Sequence, residues 1–244
     1  MLSNRFAIIT GAGGGIGAET ARIFVRENVA GVAIVDYNYE AACKVAEELG
    51  EVAFPVKCDI SNPTMVKEAV AQIMEKFGRV DILVNNAAIT RDAMFHKMTE
   101  EQWLQVINTD LNGTFFMTHA VYQQMRDNEY GRIVNTSSTS ARGNPGQCNY
   151  AAAKAGLQGF TATLAKEGAR KNITVNCIAP TATETEMIKT VPDNIRAAME
   201  KNSPKGRLAK PSEMGEVICF LASERASYLS GQWIPVSAGS CGTL

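Results

Sequence analysis

The sequence predicts an α/β fold: a doubly wound parallel sheet of six or seven strands with helices on both faces, built as one domain from residues 1–244. Short apolar runs alternate with helical patterns from end to end, and a glycine cluster joins the first run to the first helix. The chain contains no linker, repeat or low-complexity tract that would divide it. Ligands of such a sheet bind at the carboxyl ends of its strands.

The strands are predicted from short apolar runs rich in β-branched residues. They are expected at residues 6–10, 32–35, 52–56, 80–84, 132–136, 173–178 and 232–236. Pro55 indicates that the third strand lies near an edge of the sheet, because proline cannot donate to a central ladder. Pro180 is expected to break the sixth run.

The helices are predicted between these strands, where apolar residues recur at helical spacing. Pro63 and Pro211 indicate first turns, and Thr99 with Gln102 forms a capping box that opens a long helix. The predicted helices cover residues 18–28, 39–49, 61–78, 99–125, 149–170, 193–201 and 211–222.

Charge and hydropathy restrict the class of partner. Lys and Arg number 24 and Asp and Glu number 25, so the chain lacks the basic footprint that nucleic acid or an anionic membrane would require. The first strand begins at residue 6 and no apolar run reaches membrane-spanning length. We therefore expect a cytoplasmic protein without signal peptide or membrane segment, and a small-molecule partner.

Cysteine and histidine usage argues against disulfides and metals. The six cysteines, at positions 43, 58, 148, 177, 219 and 241, have no C-x-x-C spacing and are expected to be reduced thiols. His96 and His119 are too few for the common zinc sites and are expected to be structural or solvent-facing. No metal site is predicted.

The turn after the first strand suits a phosphate group. Glycines allow close approach of the backbone, and the free N–H groups and dipole of a helix N-terminus favour an anion. The spacing is G-x-x-x-G-x-G at Gly11, Gly15 and Gly17, and the alternative is a flexible surface turn. Asp36 ends the second run nineteen residues after Gly17, where a dinucleotide fold places an acid for the ribose 2′-OH.

A candidate acid/base pair lies on the helix predicted over residues 149–170. Tyr150 and Lys154 are four residues apart, one turn along the same face. The ammonium group is expected to lower the pKa of the phenol below its usual value of about 10. A hydroxyl at Ser138, after the fifth strand, could polarise a carbonyl. On an exposed helix such a pair would by itself usually carry no function.

As a set, these motifs resemble the short-chain dehydrogenase/reductase family over nearly the whole chain. The resemblance is carried by the glycine turn with Thr10, by Asn85-Asn-Ala87, by the serine before Tyr150-x-x-x-Lys154, and by Pro180 with Thr185. The chain is most similar to the branch of 3-oxoacyl-(acyl carrier protein) reductases and acetoacetyl-CoA reductases, through residues 85–92, 146–150 and 206–208.

The resemblance implies a Rossmann-like, NAD(H)-dependent oxidoreductase that interconverts a secondary alcohol and a ketone. Tyr150 would exchange a proton with the substrate oxygen, Lys154 would hold the nicotinamide ribose, and Ser138 would bond the carbonyl. The cofactor would contact Gly11, Gly15, Ile16, Gly17, Asp36, Asp59, Ile60, Asn86, Tyr150, Lys154, Thr183 and Thr185.

Two positions within this resemblance leave alternatives open. Asp110 stands where the family has an active-site Asn that relays protons. It is either ionised beside Lys154, which we favour, or desolvated with a raised pKa and able to donate. Ser137 keeps the family's usual separation of thirteen residues from Tyr150, but we prefer Ser138 because the preceding strand determines its place.

The substrate implied by the resemblance is a 3-hydroxyacyl or 3-oxoacyl thioester. A small polyol, sugar or cyclic alcohol is the alternative, and a non-catalytic dinucleotide-binding protein is a remote one. A carrier-protein partner would need a basic patch near the site. The residues that bear on such a patch are the basic Arg126, Arg132, Arg170 and Lys171 and the acidic Asp127 and Glu129.

A homo-oligomer, either dimer or tetramer, is also expected. The helices that begin near Thr99 and Asn149 carry more apolar residues than one sheet surface should cover, and the family pairs these helices between subunits. The apolar residues in question are Phe115, Phe116, Met117, Leu157, Phe160 and Leu164.

Overall fold

The computed structural model of the protein describes residues 1–189 and 191–240. Within these residues, seven strands form one parallel sheet in the order β3-β2-β1-β4-β5-β6-β7. The predicted fold class is therefore confirmed, and β3 with Pro55 lies at an edge as expected. The strands are β1 (Phe6–Thr10), β2 (Gly31–Asp36), β3 (Ala53–Lys57), β4 (Ile82–Asn85), β5 (Gly131–Thr136), β6 (Ile173–Pro180) and β7 (Trp233–Val236).

Helices cover both faces of the sheet and bury two apolar cores. α1, α2 and α9 pack on one face, and α3, α5 and α6 pack on the other. No helix within residues 1–189 and 191–240 is long and apolar enough to span a bilayer. The helices are α1 (Gly15–Arg26), α2 (Tyr39–Leu49), α3 (Pro63–Phe77), α4 (Glu100–Val106), α5 (Gly113–Asp127), α6 (Cys148–Gly168), α7 (Glu186–Lys189), α8 (Asp193–Asn202) and α9 (Pro211–Leu221).

The strand order places the ligand crevice. Successive strands run outward from β1 through β2 to β3, and then from β4 on the other side of β1 to β7. The order therefore reverses between β1 and β4, and the carboxyl ends of these strands diverge there to form a crevice. The glycine turn, which follows β1, lies at this point.

Three element predictions need correction. The helix predicted over residues 99–125 is interrupted by a π-helical segment (Ile107–Asn112), because apolar spacing does not reveal one wide turn. α1 begins at Gly15 rather than at residue 18, since the glycine turn itself enters the helix. Pro180 is the last residue of β6 and pairs with Val236, so the strand is longer than expected.

Two of the apolar residues that were expected to be covered by a second subunit are buried within this chain. Met117 is 0% exposed and Leu157 is 1% exposed, because they face the core below α5 and α6. Cys43, Cys58, Cys148, Cys177 and Cys219 are free thiols, and Cys241 lies outside the described residues.

Candidate active site

A cleft of about 1390 Å³ opens at the carboxyl ends of the strands and gathers nearly all of the predicted site residues. Gly17 and Asp110 are the two predicted residues that do not line it. Those that do are Gly11, Gly15, Ile16, Asp36, Asp59, Ile60, Asn86, Ser138, Tyr150, Lys154, Thr183 and Thr185.

Close backbone packing fixes the conformation of the glycine turn between Gly11 and Gly17, which faces the cleft. Gly11 has a φ of +62°, and a Cβ added there would lie 2.7 Å from Cα of Ala87. A Cβ on Gly17 would collide with the carbonyl oxygen of Gly11, so Gly17 keeps the turn tight from behind. The Asn86 amide donates to the carbonyls of Thr10 and Gly11, at 3.1 Å each. These contacts leave the cleft side of the turn accessible to a phosphate.

The carboxylate of Asp36 is positioned by two backbone N–H groups. Oδ2 accepts from Gly13 N at 2.8 Å, and Oδ1 accepts from Asn38 N at 2.9 Å. A Cβ on Gly13 would lie 3.0 Å from Oδ2, so a glycine there lets the carboxylate approach the turn. Asp36 therefore presents a negative charge at the end of the cleft where a dinucleotide's adenosine ribose would lie, and the residues fit such a cofactor.

The last residue of β5 and the two residues after it lie against the acid/base pair. The Thr136 carbonyl accepts from Lys154 Nζ at 3.0 Å, and the Ser137 hydroxyl donates to the Lys154 carbonyl at 2.8 Å. The Ser138 hydroxyl lies near the phenol of Tyr150 and favours its phenolate. Lys154 Nζ lies 5.3 Å from the centre of the Tyr150 ring, as their spacing on α6 predicted.

The two candidate serines therefore have different surroundings. Ser137 is 2% exposed, and its hydroxyl donates to the Lys154 carbonyl and accepts from the indole N–H of Trp233. Ser138 accepts from Ser140 N at 3.1 Å and keeps its hydroxyl next to the phenol of Tyr150. The geometry favours Ser138 as the group that meets a substrate carbonyl.

Asp110 lies on the π-helical segment, directly behind Lys154. Its side chain is fully buried, Oδ1 accepts from Ile89 N at 2.9 Å, and Oδ2 lies 3.3 Å from Lys154 Nζ. Oδ1 takes an N–H donor, and Oδ2 makes no hydrogen bond but lies beside the Lys154 ammonium group, so the pair fits a carboxylate held by an ion pair. The ionic partnership predicted for Asp110 and Lys154 agrees with this geometry.

The expected fall in the pKa of Tyr150 is wrong. Burial raises the pKa of this phenol above its ordinary value, and the nearby Asp110 carboxylate raises it further. Lys154 and the Ser138 hydroxyl act in the opposite direction but do not compensate. The phenol therefore stays protonated at neutral pH and is a proton donor there.

Lys154 remains an ammonium group. Burial by itself would lower its pKa, but Asp110 and Tyr150 raise the pKa above its ordinary value. Burial raises the pKa of Asp110 above its ordinary value, as the second alternative for this residue expected, and Lys154 and the Ile89 N–H favour the carboxylate without compensating. The Cys177 thiol beside this group has its pKa raised by burial to about 11 and is neutral at physiological pH.

Sequence reasoning missed three residues that shape the site. Gly13 bonds the Asp36 carboxylate, Thr136 holds the Lys154 ammonium group with its carbonyl, and Trp233 bonds Ser137. Gly13 could have been found from its place inside the glycine turn. The other two depend on contacts between residues far apart in the chain and leave no local signal.

Comparison with known proteins agrees with this geometry. The family described as enoyl-(acyl carrier protein) reductase matches residues 11–240. The chain is 43% identical to a 3-oxoacyl-[acyl-carrier-protein] reductase of Thermotoga maritima over 241 residues, which cover 98% of each chain. It is also 43% identical to an acetoacetyl-CoA reductase of Shinella zoogloeoides over 238 residues, covering 97% of this chain and 98% of the other.

Two solved structures are similar over essentially their full length. A 3-ketoacyl-(acyl-carrier-protein) reductase from Brucella melitensis, complexed with NADH, superposes with a TM-score of 0.94 at 34% identity, covering 99% of this chain and 100% of that one. A levodione reductase superposes with a TM-score of 0.93 at 31% identity, covering 100% of both chains.

Proposed function

Since the chain belongs to the short-chain dehydrogenase/reductase family and is an oxidoreductase of alcohol and ketone groups, we propose that it reduces 3-oxoacyl thioesters with NADH. The observation that carries this proposal is the Ser138–Tyr150–Lys154 arrangement in a cleft that also holds the glycine turn. A nicotinamide cofactor bound there supplies the hydride for reduction and takes it up in alcohol oxidation.

The protein's own groups handle the proton. Ser138 hydrogen-bonds the ketone oxygen and orients it next to Tyr150. Tyr150, whose pKa is raised, donates its proton to that oxygen at neutral pH. Lys154 keeps a positive charge beside the phenol, which stabilises the phenolate that forms. Alcohol oxidation needs the phenolate at the start, so its rate rises with pH through the pKa of Tyr150.

We propose the remaining cofactor contacts from the places of these residues around the cleft. Gly11, Gly15 and Ile16 would meet the pyrophosphate at the helix N-terminus, with Gly17 behind them. Asp59 and Ile60 would flank the adenine, Asn86 would touch the adenosine ribose, and Thr183 with Thr185 would hold the nicotinamide side.

We expect the enzyme to prefer NADH to NADPH by about 100-fold or more in kcat/KM. A carboxylate oxygen of Asp36 would accept a hydrogen bond from a ribose hydroxyl, whereas its charge would repel a 2′-phosphate, and a like-charge contact costs several kcal/mol. Binding of NADH by the similar Brucella reductase supports this preference. Steady-state kinetics with both cofactors measure it, and Asp36→Asn, which keeps the shape without the charge, should narrow the ratio to within about tenfold. Equal efficiency of the wild type with NADPH would refute the assignment.

The thioester we favour is carried by coenzyme A rather than by a carrier protein. Two of the four basic residues considered for a carrier are already paired with carboxylates: Arg132 is fully buried against Glu224 at 3.1 Å, and Lys171 pairs with Glu129 at 2.8 Å. Arg132 also lies at the amino half of β5, away from the cleft. These two residues therefore offer no free cation to an acidic partner.

The substrate proposal is tested by following NADH absorbance with acetoacetyl-CoA, the same acyl group on a carrier protein, and a panel of cyclic ketones, sugars and polyols. We expect the highest kcat/KM with acetoacetyl-CoA. The similarity to a levodione reductase makes a cyclic ketone the second candidate. Reduction of the cyclic ketones alone would select that candidate, and absence of turnover on every compound would leave a dinucleotide-binding role.

We also expect the protein to form a homo-oligomer through α5 and α6. Phe115 on α5 is 47% exposed, and the centre of its ring lies 5.6 Å from the centre of the Phe116 ring. A second copy would cover this surface, as apolar patches on soluble proteins commonly require. Light scattering at micromolar concentration should show a dimer or tetramer, and Phe115→Glu should dissociate it in part. A wild-type monomer under these conditions would contradict the expectation.

A further inference from the structure

Trp233 contacts both segments that adjoin the catalytic pair. It begins β7, and its indole Nε1 donates to the Ser137 hydroxyl oxygen at 3.2 Å. Its ring faces the Arg142 guanidinium, whose central carbon lies 4.9 Å from the ring centre. A single side chain therefore bridges the end of β5 and the turn that follows it.

Each of these contacts leads to a catalytic residue. Ser137 connects Trp233 to α6, because its hydroxyl donates to the Lys154 carbonyl at 2.8 Å. Arg142 ends a short 3₁₀ turn (Thr139–Arg142) whose N-cap is Ser138. The indole of Trp233 therefore supports the segment that holds Lys154 and also the turn that begins at Ser138.

We infer that Trp233 is a positioning residue for the Ser138–Tyr150–Lys154 site. A serine hydroxyl rotates freely and can donate in any one direction. When the indole N–H occupies a lone pair of Ser137, the hydroxyl hydrogen remains for the Lys154 carbonyl. This bond and the Thr136 carbonyl hold Lys154 at both ends, and preorganisation of this kind matters because small displacements of reacting groups cost large factors in rate.

The test is a double-mutant cycle with Trp233→Phe, Ser137→Ala and both together. The phenylalanine keeps an aromatic face for Arg142 but removes the N–H. Each single change should lower kcat about tenfold with KM for the ketone unchanged, and the double variant should be no worse than Ser137→Ala. The pH profile of alcohol oxidation should move to higher pH, because a displaced Lys154 stabilises the Tyr150 phenolate less.

A matched control separates positioning from general damage. Trp103, the other of the two tryptophans, lies on α4 outside the cleft, so Trp103→Phe should leave kcat unchanged. In that background Trp233 is the sole tryptophan, and Ser137→Ala should shift its emission to shorter wavelength by removing the acceptor of the indole N–H.

The inference rests on the proposed function for the roles of Tyr150 and Lys154, but its test does not depend on a thioester substrate. The cycle uses whichever ketone the wild type reduces fastest, so failure with acetoacetyl-CoA overturns only the substrate proposal. Unchanged Trp233 emission, additive effects of the two substitutions, or a normal kcat in Trp233→Phe would each overturn the positioning role.

Discussion

Tyr150→Phe is expected to lower kcat by at least about 100-fold while leaving NADH binding nearly unchanged. The substitution removes only the phenolic oxygen, and proton transfer by a positioned side chain contributes a factor of that size. The phenol of Tyr150 lies in the cleft beside Ser138. The phenylalanine ring would fill the same space as the tyrosine ring, so the packing around it should be kept. Ketone reduction by NADH absorbance and cofactor binding by fluorescence titration measure the two effects.

The natural control is Tyr122→Phe, the same chemical change on α5. Tyr122 does not line the cleft, and its buried hydroxyl has no hydrogen-bond partner among residues 1–189 and 191–240. This variant should keep wild-type kcat. Lys154→Ala, in contrast, should weaken both turnover and NADH binding. Retention of more than a few per cent of kcat by Tyr150→Phe would disprove the proton-donor assignment.

Asp110→Asn is expected to move the pH profile of kcat for alcohol oxidation toward lower pH, with turnover kept within about tenfold of the wild type. Asp110 is one of the groups that raise the pKa of Tyr150, so removing its charge lowers that pKa. The phenolate needed for oxidation then forms at lower pH. For ketone reduction the phenol is needed, so the rate should begin to fall at lower pH than in the wild type.

Asp110→Asn should also remove one of the two contacts made by the carboxylate. Asp110 offers two oxygens to two donors, the Ile89 N–H and the Lys154 ammonium group, whereas an asparagine offers one oxygen. We therefore expect a lower melting temperature as well. Asp127→Asn, at the exposed end of α5, is the matched control and should change neither property. An unchanged pH profile in Asp110→Asn would place Asp110 outside the proton path.

Patterns that depend on neighbours in sequence were predictable. The alternation of apolar runs gave the strands, and the spacing of Tyr150 and Lys154 on one helical face survives in α6. The turn between Gly11 and Gly17, with Asp36 beyond it, was equally local. These features need only the periods of a strand or helix and the chemistry of a turn.

Properties set by packing were not predictable. Lys154 alone predicts a lowered pKa for Tyr150, but the sign depends on burial and on Asp110, which the fold brings together. Met117 and Leu157 looked like surplus apolar residues because their burial is decided by a sheet whose strands are remote in sequence. The contact between Trp233 and Ser137 spans 96 residues and no local pattern indicates it.

The π-helical segment between α4 and α5 determines which way Asp110 faces. A wide turn accommodates one residue more than an α-helical turn, and each residue turns a helix by about 100°. Deleting one residue of Ile107–Asn112 other than Asp110 would restore regular α-helical turns and rotate Asp110 away from Lys154, although every side chain of the site is retained. The place of Asp110 behind Lys154 therefore depends on the number of residues in this segment as well as on their identity.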